Sequence, residues 1–282
     1  MSTHLAGGAT ETAVEEVPVL MYHSIGTTTA RKFRRFAVPP DEFAAQMDYL
    51  AAEGYQPVTA AELAASRSGG PLPRRPVVLT FDDAYTDFYE VALPVLRQHH
   101  FPAALYVPTA YVGGTTRFNG SSGEGSRPVL SWQALGDVAA EGVEVAAHSH
   151  THPQMDRVPG EEVQDEAARS RGVLEDKLGR PVDGFAYPFG YWNRAARAAV
   201  AGAGFRYAFA VAEMVTAPDD DMLTLPRLTV NAGTGVAGLA RLLARPATSG
   251  RRLAGAKQVA WRGVRRAVPF VGGDPREGRP AT

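Results

Sequence analysis

About seven times along this chain a short apolar run is followed by a segment whose apolar residues recur at helical spacing. Val17–His23, Tyr55–Thr59, Pro76–Phe81, Ala103–Val107, Val143–Ala147, Val182–Tyr187, Tyr207–Val211 and Leu223–Val230 read as strands. Most are apolar without alternation, as in strands covered on both faces. Between them, Pro40–Glu53 places Phe43, Met47 and Leu50 at i, i+4 and i+7. Ala60–Ala65, Tyr85–His99, Ser131–Glu141, Pro159–Leu178 and Trp192–Ala201 also read as helices. Residues 108–128 form a long Gly-rich loop. Strand–helix alternation predicts an α/β fold built on a parallel sheet, either closed as a barrel or open and doubly wound. In both arrangements chemistry gathers at the carboxyl ends of the strands.

Composition narrows that chemistry. The 282 residues are 45% hydrophobic and 21% charged, which excludes wholesale disorder. With no Cys there is no disulfide, thiolate nucleophile, Cys-ligated zinc or iron–sulfur cluster, so any metal must use His, Asp or Glu. The uncharged stretch Gln98–Thr116 contains two His, two Pro and two Gly, which no spanning helix tolerates. Residues 1–16 carry neither a basic start nor an apolar core of about 7–15 residues, which reads as a cytoplasmic protein. The Gly-rich pieces of 108–128 lack the strand and helix order of a nucleotide-phosphate loop.

Charge is unevenly spread. Residues 1–221 hold 18 basic and 28 acidic side chains, whereas residues 222–282 hold 11 and 2. Within 251–268, Leu253, Ala256, Ala260, Trp261, Val264 and Val268 share one helical face, and Arg251, Arg252, Arg262, Arg265 and Arg266 lie largely on the other. That is the pattern of a helix lying peripherally on an anionic membrane, with packing on the acidic body or a disordered tail as the alternatives. Nothing supports a nucleic-acid partner. The expected organisation is a flexible N-terminal segment 1–16, a body 17–232 and a basic extension 233–282 that is helical or partly disordered.

Two motifs carry chemistry. Pro76–Phe81 runs straight into Asp82-Asp83. At a strand end the chain is turning, so one carboxylate can ligate a metal while the other handles protons. The plainer alternative is that Asp83 caps the next helix. After Val143–Ala147 comes His148-Ser149-His150-Thr151-His152, three of the seven His within five positions. His148 and His152 face one way if the segment turns helically, and His150 then points away. Together the motifs offer Asp, His and His, an N/O set suited to a catalytic divalent ion: zinc first, with cobalt, nickel or iron also compatible.

With these motifs the chain resembles the polysaccharide deacetylases, the NodB-homology group also called carbohydrate esterase family 4. Thr80-Phe81-Asp82-Asp83-Ala84 is similar to its first motif, His148-Ser149-His150-Thr151-His152 to its second, and Phe185-Ala186-Tyr187-Pro188-Phe189-Gly190 to its third. Met21-Tyr22-His23, followed by Phe43, Gln46, Met47 and Leu50, resembles the opening of one branch. The resemblance spans about residues 17–231. It implies a distorted (β/α)7 barrel of the NodB-homology type and a metal-dependent hydrolase of N-acetylated amino sugars. The substrate would be a glycan or a lipid- or nucleotide-linked precursor. It further implies Asp82 as base, Asp83, His148 and His152 as metal ligands, and the Phe189 amide as an oxyanion donor, with Tyr187 and Pro188 shaping the wall. Trp192, beside that motif, is a candidate for stacking on a sugar, and Phe88, Tyr89, Tyr111 and Trp132 are weaker ones.

Two departures stand out. The Arg often found in the third motif aligns with Ala186, and Arg227 in the last strand is the candidate to replace it in space. No His follows His152, so the late His that many members use as general acid is missing, and His23 is the candidate for that duty. Rival readings are a non-catalytic carbohydrate-binding relative of the same fold, or a hydrolase of O-acetyl esters or non-sugar amides.

Overall fold

The computed structural model describes residues 16–245. Seven strands form one parallel sheet: β1 (Val19–Tyr22), β2 (Pro76–Asp82), β3 (Ala104–Val107), β4 (Glu144–Ala147), β5 (Gly184–Ala186), β6 (Tyr207–Phe209) and β7 (Leu228–Thr229). Their order is β7-β1-β2-β3-β4-β5-β6, and Gln56–Pro57 adds a short parallel pairing to β2. Register aligns Met21 with Thr80 and Thr229, Asp82 with Tyr106, Val107 with Ala147, and Ala186 with Phe209. One segment closes the circle. Leu225 bridges Phe209 of β6, and three residues later Leu228 pairs with Leu20 of β1. The expected strand Leu223–Val230 is therefore split at Pro226-Arg227, because it serves two neighbours in turn. The result is the distorted (β/α)7 barrel.

Strand alternation sorts the core into two clusters. Val78, Ala104, Tyr106, Ala146, Ala186, Tyr207, Phe209 and Leu225 fill the inside of the barrel. Val77, Leu79, Phe81, Leu105, Val107, Val145, Ala147 and Phe185 face outward and join the helical layer. That layer comprises α1 (Pro40–Ala52), α2 (Ala60–Ser66), α3 (Leu93–Gln98), α4 (Trp132–Ala140), α5 (Gly160–Leu178), α6 (Arg194–Gly202) and α7 (Gly235–Leu243). α1 starts with Pro40 and buries Phe43, Met47 and Leu50. Ser131 caps α4 by accepting from the Ala134 amide, and Asn193 rather than Trp192 caps α6.

Two further elements differ from the sequence reading. The helix expected over Tyr85–His99 passes through a π turn at Phe88–Ala92 before α3. Pro94 has no N–H to give the Glu90 carbonyl, and the wider turn absorbs that loss. α7 falls within the extension 233–282 expected to be helical or partly disordered. It buries Leu239, Leu242 and Leu243, and its start is held by Glu42, which accepts from the Gly233 and Gly235 amides at 2.9 and 2.8 Å. The expected boundary after residue 232 therefore does not separate α7 from the body. Among the described residues no helix is long and apolar enough to cross a membrane. The amphipathic pattern at 251–268 lies outside the described residues.

Candidate metal centre and active-site cleft

Thr80 and Asp82 point into the barrel at the carboxyl end of β2, and there the strand ends. Asp83 and Ala84 both take left-handed backbone conformations, with φ of 76° and 53°. This turn, sterically tolerable for Asp, swings the second carboxylate away from the first. The two neighbours consequently meet different partners.

Asp82 is gripped by Arg227. Nη1 donates to Oδ1 and Nη2 to Oδ2, each at 2.7 Å, and Nη1 also reaches Thr80 Oγ1 at 3.2 Å. Arg227 is fully buried. Burial pushes the Asp82 carboxyl up, but the adjacent Arg227 and then His148 outweigh it and hold the group below its ordinary value. Arg227 thus stands where the missing Arg of the third motif was expected to act, while Ala186 simply lines the barrel interior.

Asp83 faces the two imidazoles. Its Oδ1 lies 3.2 Å from His152 Nε2 and 3.6 Å from His148 Nε2. Burial raises its carboxyl, yet His152, His23 and His148 together outweigh burial and hold it well below the usual carboxylate range. It caps no helix; its Oδ2 accepts from Asn119 Nδ2 at 3.2 Å. His148 Nδ1 must donate to the Ala186 carbonyl at 2.8 Å, so the neutral ring aims the Nε2 lone pair at the carboxylates. Burial lowers His148 to about 4, so that ring is neutral at neutral pH.

Lone pairs directed at buried carboxylate oxygens repel unless a cation lies between them. Asp83 Oδ1 moreover accepts no hydrogen bond among the described residues. One ligand atom from each of Asp83, His148 and His152 lies within 4.8 Å of the others. This donor set fits a divalent ion.

The His segment is not helical. Ser149 and His152 adopt φ of 62° and 58°, and the His152 amide donates to Ser149 Oγ at 3.0 Å. The convergence of His148 and His152 comes from these two left-handed residues, not from a turn of helix. His150 does point away, its Nδ1 2.8 Å from Thr109 Oγ1. Glu166 of α5 clamps the segment: Oε2 accepts from the His150 and Thr151 amides at 2.8 and 2.7 Å, and Oε1 from Thr151 Oγ1 at 2.5 Å.

A cleft of about 360 Å³ opens above these groups. His23 lies in its wall, its ring 4.7 Å from that of Phe36, with Nδ1 buried and unpartnered. Burial pulls His23 below its ordinary value, against the pull of Asp82 and Asp83. Phe118 and Phe189 pack on either side of His152, at 4.3 and 4.8 Å between ring centroids. Phe189 has φ of 59° and a half-exposed ring that faces the cleft together with Tyr191. The following Gly190 is obligatory, since a Cβ there would sit 2.4 Å from Val211 Cβ.

Three expectations are corrected. Tyr187 does not line the cleft; it is buried in the core, and its hydroxyl donates to the Leu223 carbonyl. Pro188 is likewise buried behind the wall. Trp192 packs against the core instead of facing the cleft. Of the weaker stacking candidates, Phe88 and Tyr111 are buried. Several residues escaped sequence reasoning: Asn119 and Phe118 from the 108–128 loop, Glu166, and Lys32, Arg35, Phe36 and Glu213 around the mouth. Only the run Arg31–Phe36 carried a visible signal, its repeated basic-basic-Phe spacing.

The fold and this site define a (β/α)7 barrel with a candidate Asp/His/His metal site at its rim, and comparison with known proteins gives the family. Residues 69–208 match the polysaccharide deacetylase family model. The chain is 25% identical over 211 residues to the poly-β-1,6-N-acetyl-D-glucosamine N-deacetylase of Staphylococcus epidermidis, covering 72% of this chain and 71% of that one. Its fold superposes on the Streptococcus pyogenes deacetylase PplD with a TM-score of 0.71 at 24% identity, over 81% of this chain and 98% of that one. IcaB from Ammonifex degensii gives 0.69 at 25% identity, over 81% and 97%. The chain belongs to the polysaccharide deacetylase family and is a hydrolase of that class.

Proposed function

We propose that this chain removes acetyl from N-acetylated amino sugars in a glycan or glycosylated precursor. In this reading Asp82 is the base, and Asp83, His148 and His152 hold a divalent ion, zinc first. The observation that carries it is the division of labour between two adjacent carboxylates. One is fixed by a bidentate guanidinium; the other faces two imidazoles across a gap that suits a cation.

An ion at these ligands supplies Lewis acidity toward the acetyl carbonyl and toward water. Asp82, ionised and held in one orientation by Arg227, takes the proton of the attacking water. The Phe189 amide is assigned the developing oxyanion. As the C–N bond breaks, acetate leaves and the sugar amine needs a proton. His23 is assigned that delivery: the proton that Asp82 takes from the water passes through His23 to the amine, which leaves Asp82 ionised and His23 neutral again at the end of the cycle.

The test is acetate release from N-acetylglucosamine oligomers, with O-acetylated esters beside them, by wild type with added zinc or cobalt and by Asp82→Asn. The expected result is metal-dependent release from the N-acetyl substrates, reduced about 10³-fold or more in the variant. Release untouched by Asp82→Asn, or confined to the esters, would sink the reading.

A further inference from the structure

The sequence Arg31-Lys32-Phe33-Arg34-Arg35-Phe36 repeats basic-basic-Phe with a period of three. A 3₁₀ helix has three residues per turn, so residues i and i+3 share a face. This segment forms a turn that leads into a 3₁₀ helix at Arg34–Phe36. The Phe face points inward: Phe33 and Phe36 pack 5.5 Å apart, Phe33 lies against Tyr85 and Phe36 against His23. The next face, Lys32 and Arg35, lines the cleft. The third, Arg31 and Arg34, is exposed outside it.

None of the four cations pairs with a carboxylate among the described residues. Lys32 Nζ donates to the Ser121 carbonyl at 3.1 Å, and the Arg35 guanidinium lies 4.4 Å above the Phe36 ring. The acids of the cleft are already engaged. Asp82 is bound by Arg227, Asp83 by Asn119 and the imidazoles, and Glu213 by Thr229 and Arg245. The charge left uncommitted at the mouth is therefore positive, although the described residues as a whole hold 21 basic and 26 acidic side chains. A merely solvated face does not need four like charges in five positions without an intervening acid, because they repel. A ring-anchored turn that aims two of them into a cleft suits capture of an anion, for which the guanidinium fork and the ammonium are both competent.

Resting on the deacetylase reading above, we propose that the amino sugar taken here carries or adjoins a covalently bound anionic group, a phosphate or a carboxylate, which Lys32 and Arg35 hold over the Phe33–Phe36 pair. The neighbouring Arg31 and Arg34 add to the attractive field without entering the cleft.

The test compares three substrates of equal length: a neutral N-acetylglucosamine oligomer, the same oligomer bearing a phosphate ester, and one alternating N-acetylglucosamine with a uronic acid. At low salt, kcat/KM for one of the anionic substrates should exceed that for the neutral one by about tenfold, and the preference should shrink several-fold at about 0.5 M NaCl. Which anionic substrate wins separates phosphate from carboxylate. The double variant Lys32→Gln/Arg35→Gln should lower the anionic-to-neutral ratio about fivefold or more. Arg74→Gln, an exposed charge at the opposite end of β2, should leave that ratio alone. Equal rates on all substrates, or a ratio that survives the double variant, would overturn the proposal. If wild type releases acetate from none of them, the deacetylase reading has failed, and equilibrium binding of the same oligomers then decides this one. Tighter binding of an anionic oligomer, lost in the double variant, upholds it; equal binding refutes it.

Discussion

The bodies of the barrel strands and their carboxyl ends are built by opposite rules. Through their length the strands are extended and sorted by alternation into an inner and an outer apolar cluster. At their carboxyl ends the backbone abandons that regularity. Asp83, Ala84, Ser149, His152, Phe189 and Glu213 all have positive φ, and all belong to the three motifs or the cleft wall. The other two such non-glycine residues among those described, Arg75 and His100, sit in tight loops leading into β2 and β3. Each left-handed residue of this kind costs about 1 kcal/mol or more and persists only where surrounding structure enforces it. The barrel supplies that enforcement, and the side chains of the rim converge because of it.

The contrast can be broken most severely where the two rules meet, at Arg227. Arg227→Met should destabilise the fold by about 3–5 kcal/mol, because it leaves the Asp82 carboxylate buried and unpaired. Arg227→Lys should recover only part of this, since an ammonium cannot make the fork. Urea midpoints read both, and a loss below about 1 kcal/mol would show that the pair does not tie barrel to rim.

A milder break acts on the rim alone. Glu166→Gln keeps shape but weakens the clamp on the His150 and Thr151 amides, so affinity for zinc should fall about 10-fold or more while the melting temperature moves little. A competition titration with a coloured chelator measures the first and calorimetry the second. Equal loss of both would make Glu166 an ordinary structural residue.

On the barrel side, burial raises Glu144 from 4.5 to about 7, next to the Tyr207 hydroxyl that donates to it. Folding therefore favours its protonated form. The stability this contributes is complete below pH 4.5 and is lost as pH rises to about 7. Wild type should accordingly be less stable at pH 8 than at pH 5, and Glu144→Gln should remove that part of the slope. Parallel slopes in the two proteins would count against this assignment.

The smallest effect sharpens the comparison. Ala84→Gly relieves a left-handed Ala, a gain of about 1–2 kcal/mol, but loses a buried methyl and adds chain entropy, about 0.8 and 0.5–1 kcal/mol. The net change should stay within about 1 kcal/mol of zero. The same substitution at Ala104, in the extended interior of β3, should only destabilise.

Much of this was legible beforehand. Strand and helix positions followed from apolar spacing, and Asp82-Asp83 and His148–His152 stood out because adjacent carboxylates and three of the seven His cluster at the ends of apolar strands. The illegible parts have a common cause. Trp192 read as a wall residue because it neighbours a motif and Tyr187 because it belongs to one, but position in sequence does not say which face of the chain meets the cleft. Asn119 and Glu166 carried no signal, as each acts on a motif 36 or 16 residues away through a single carboxylate or amide.

The sequence by itself determined the alternation that makes a parallel sheet, the placing of chemistry at strand ends and the kinds of ligand available, because all of these are local patterns. Only the tertiary structure decided which carboxylate meets which partner. Arg227 reaches Asp82 across 145 positions because one kinked segment closes the barrel between β6 and β1. Asp83 turns the other way because its backbone can be held left-handed there. A local pattern cannot encode either outcome, since both depend on closing the sheet into a ring.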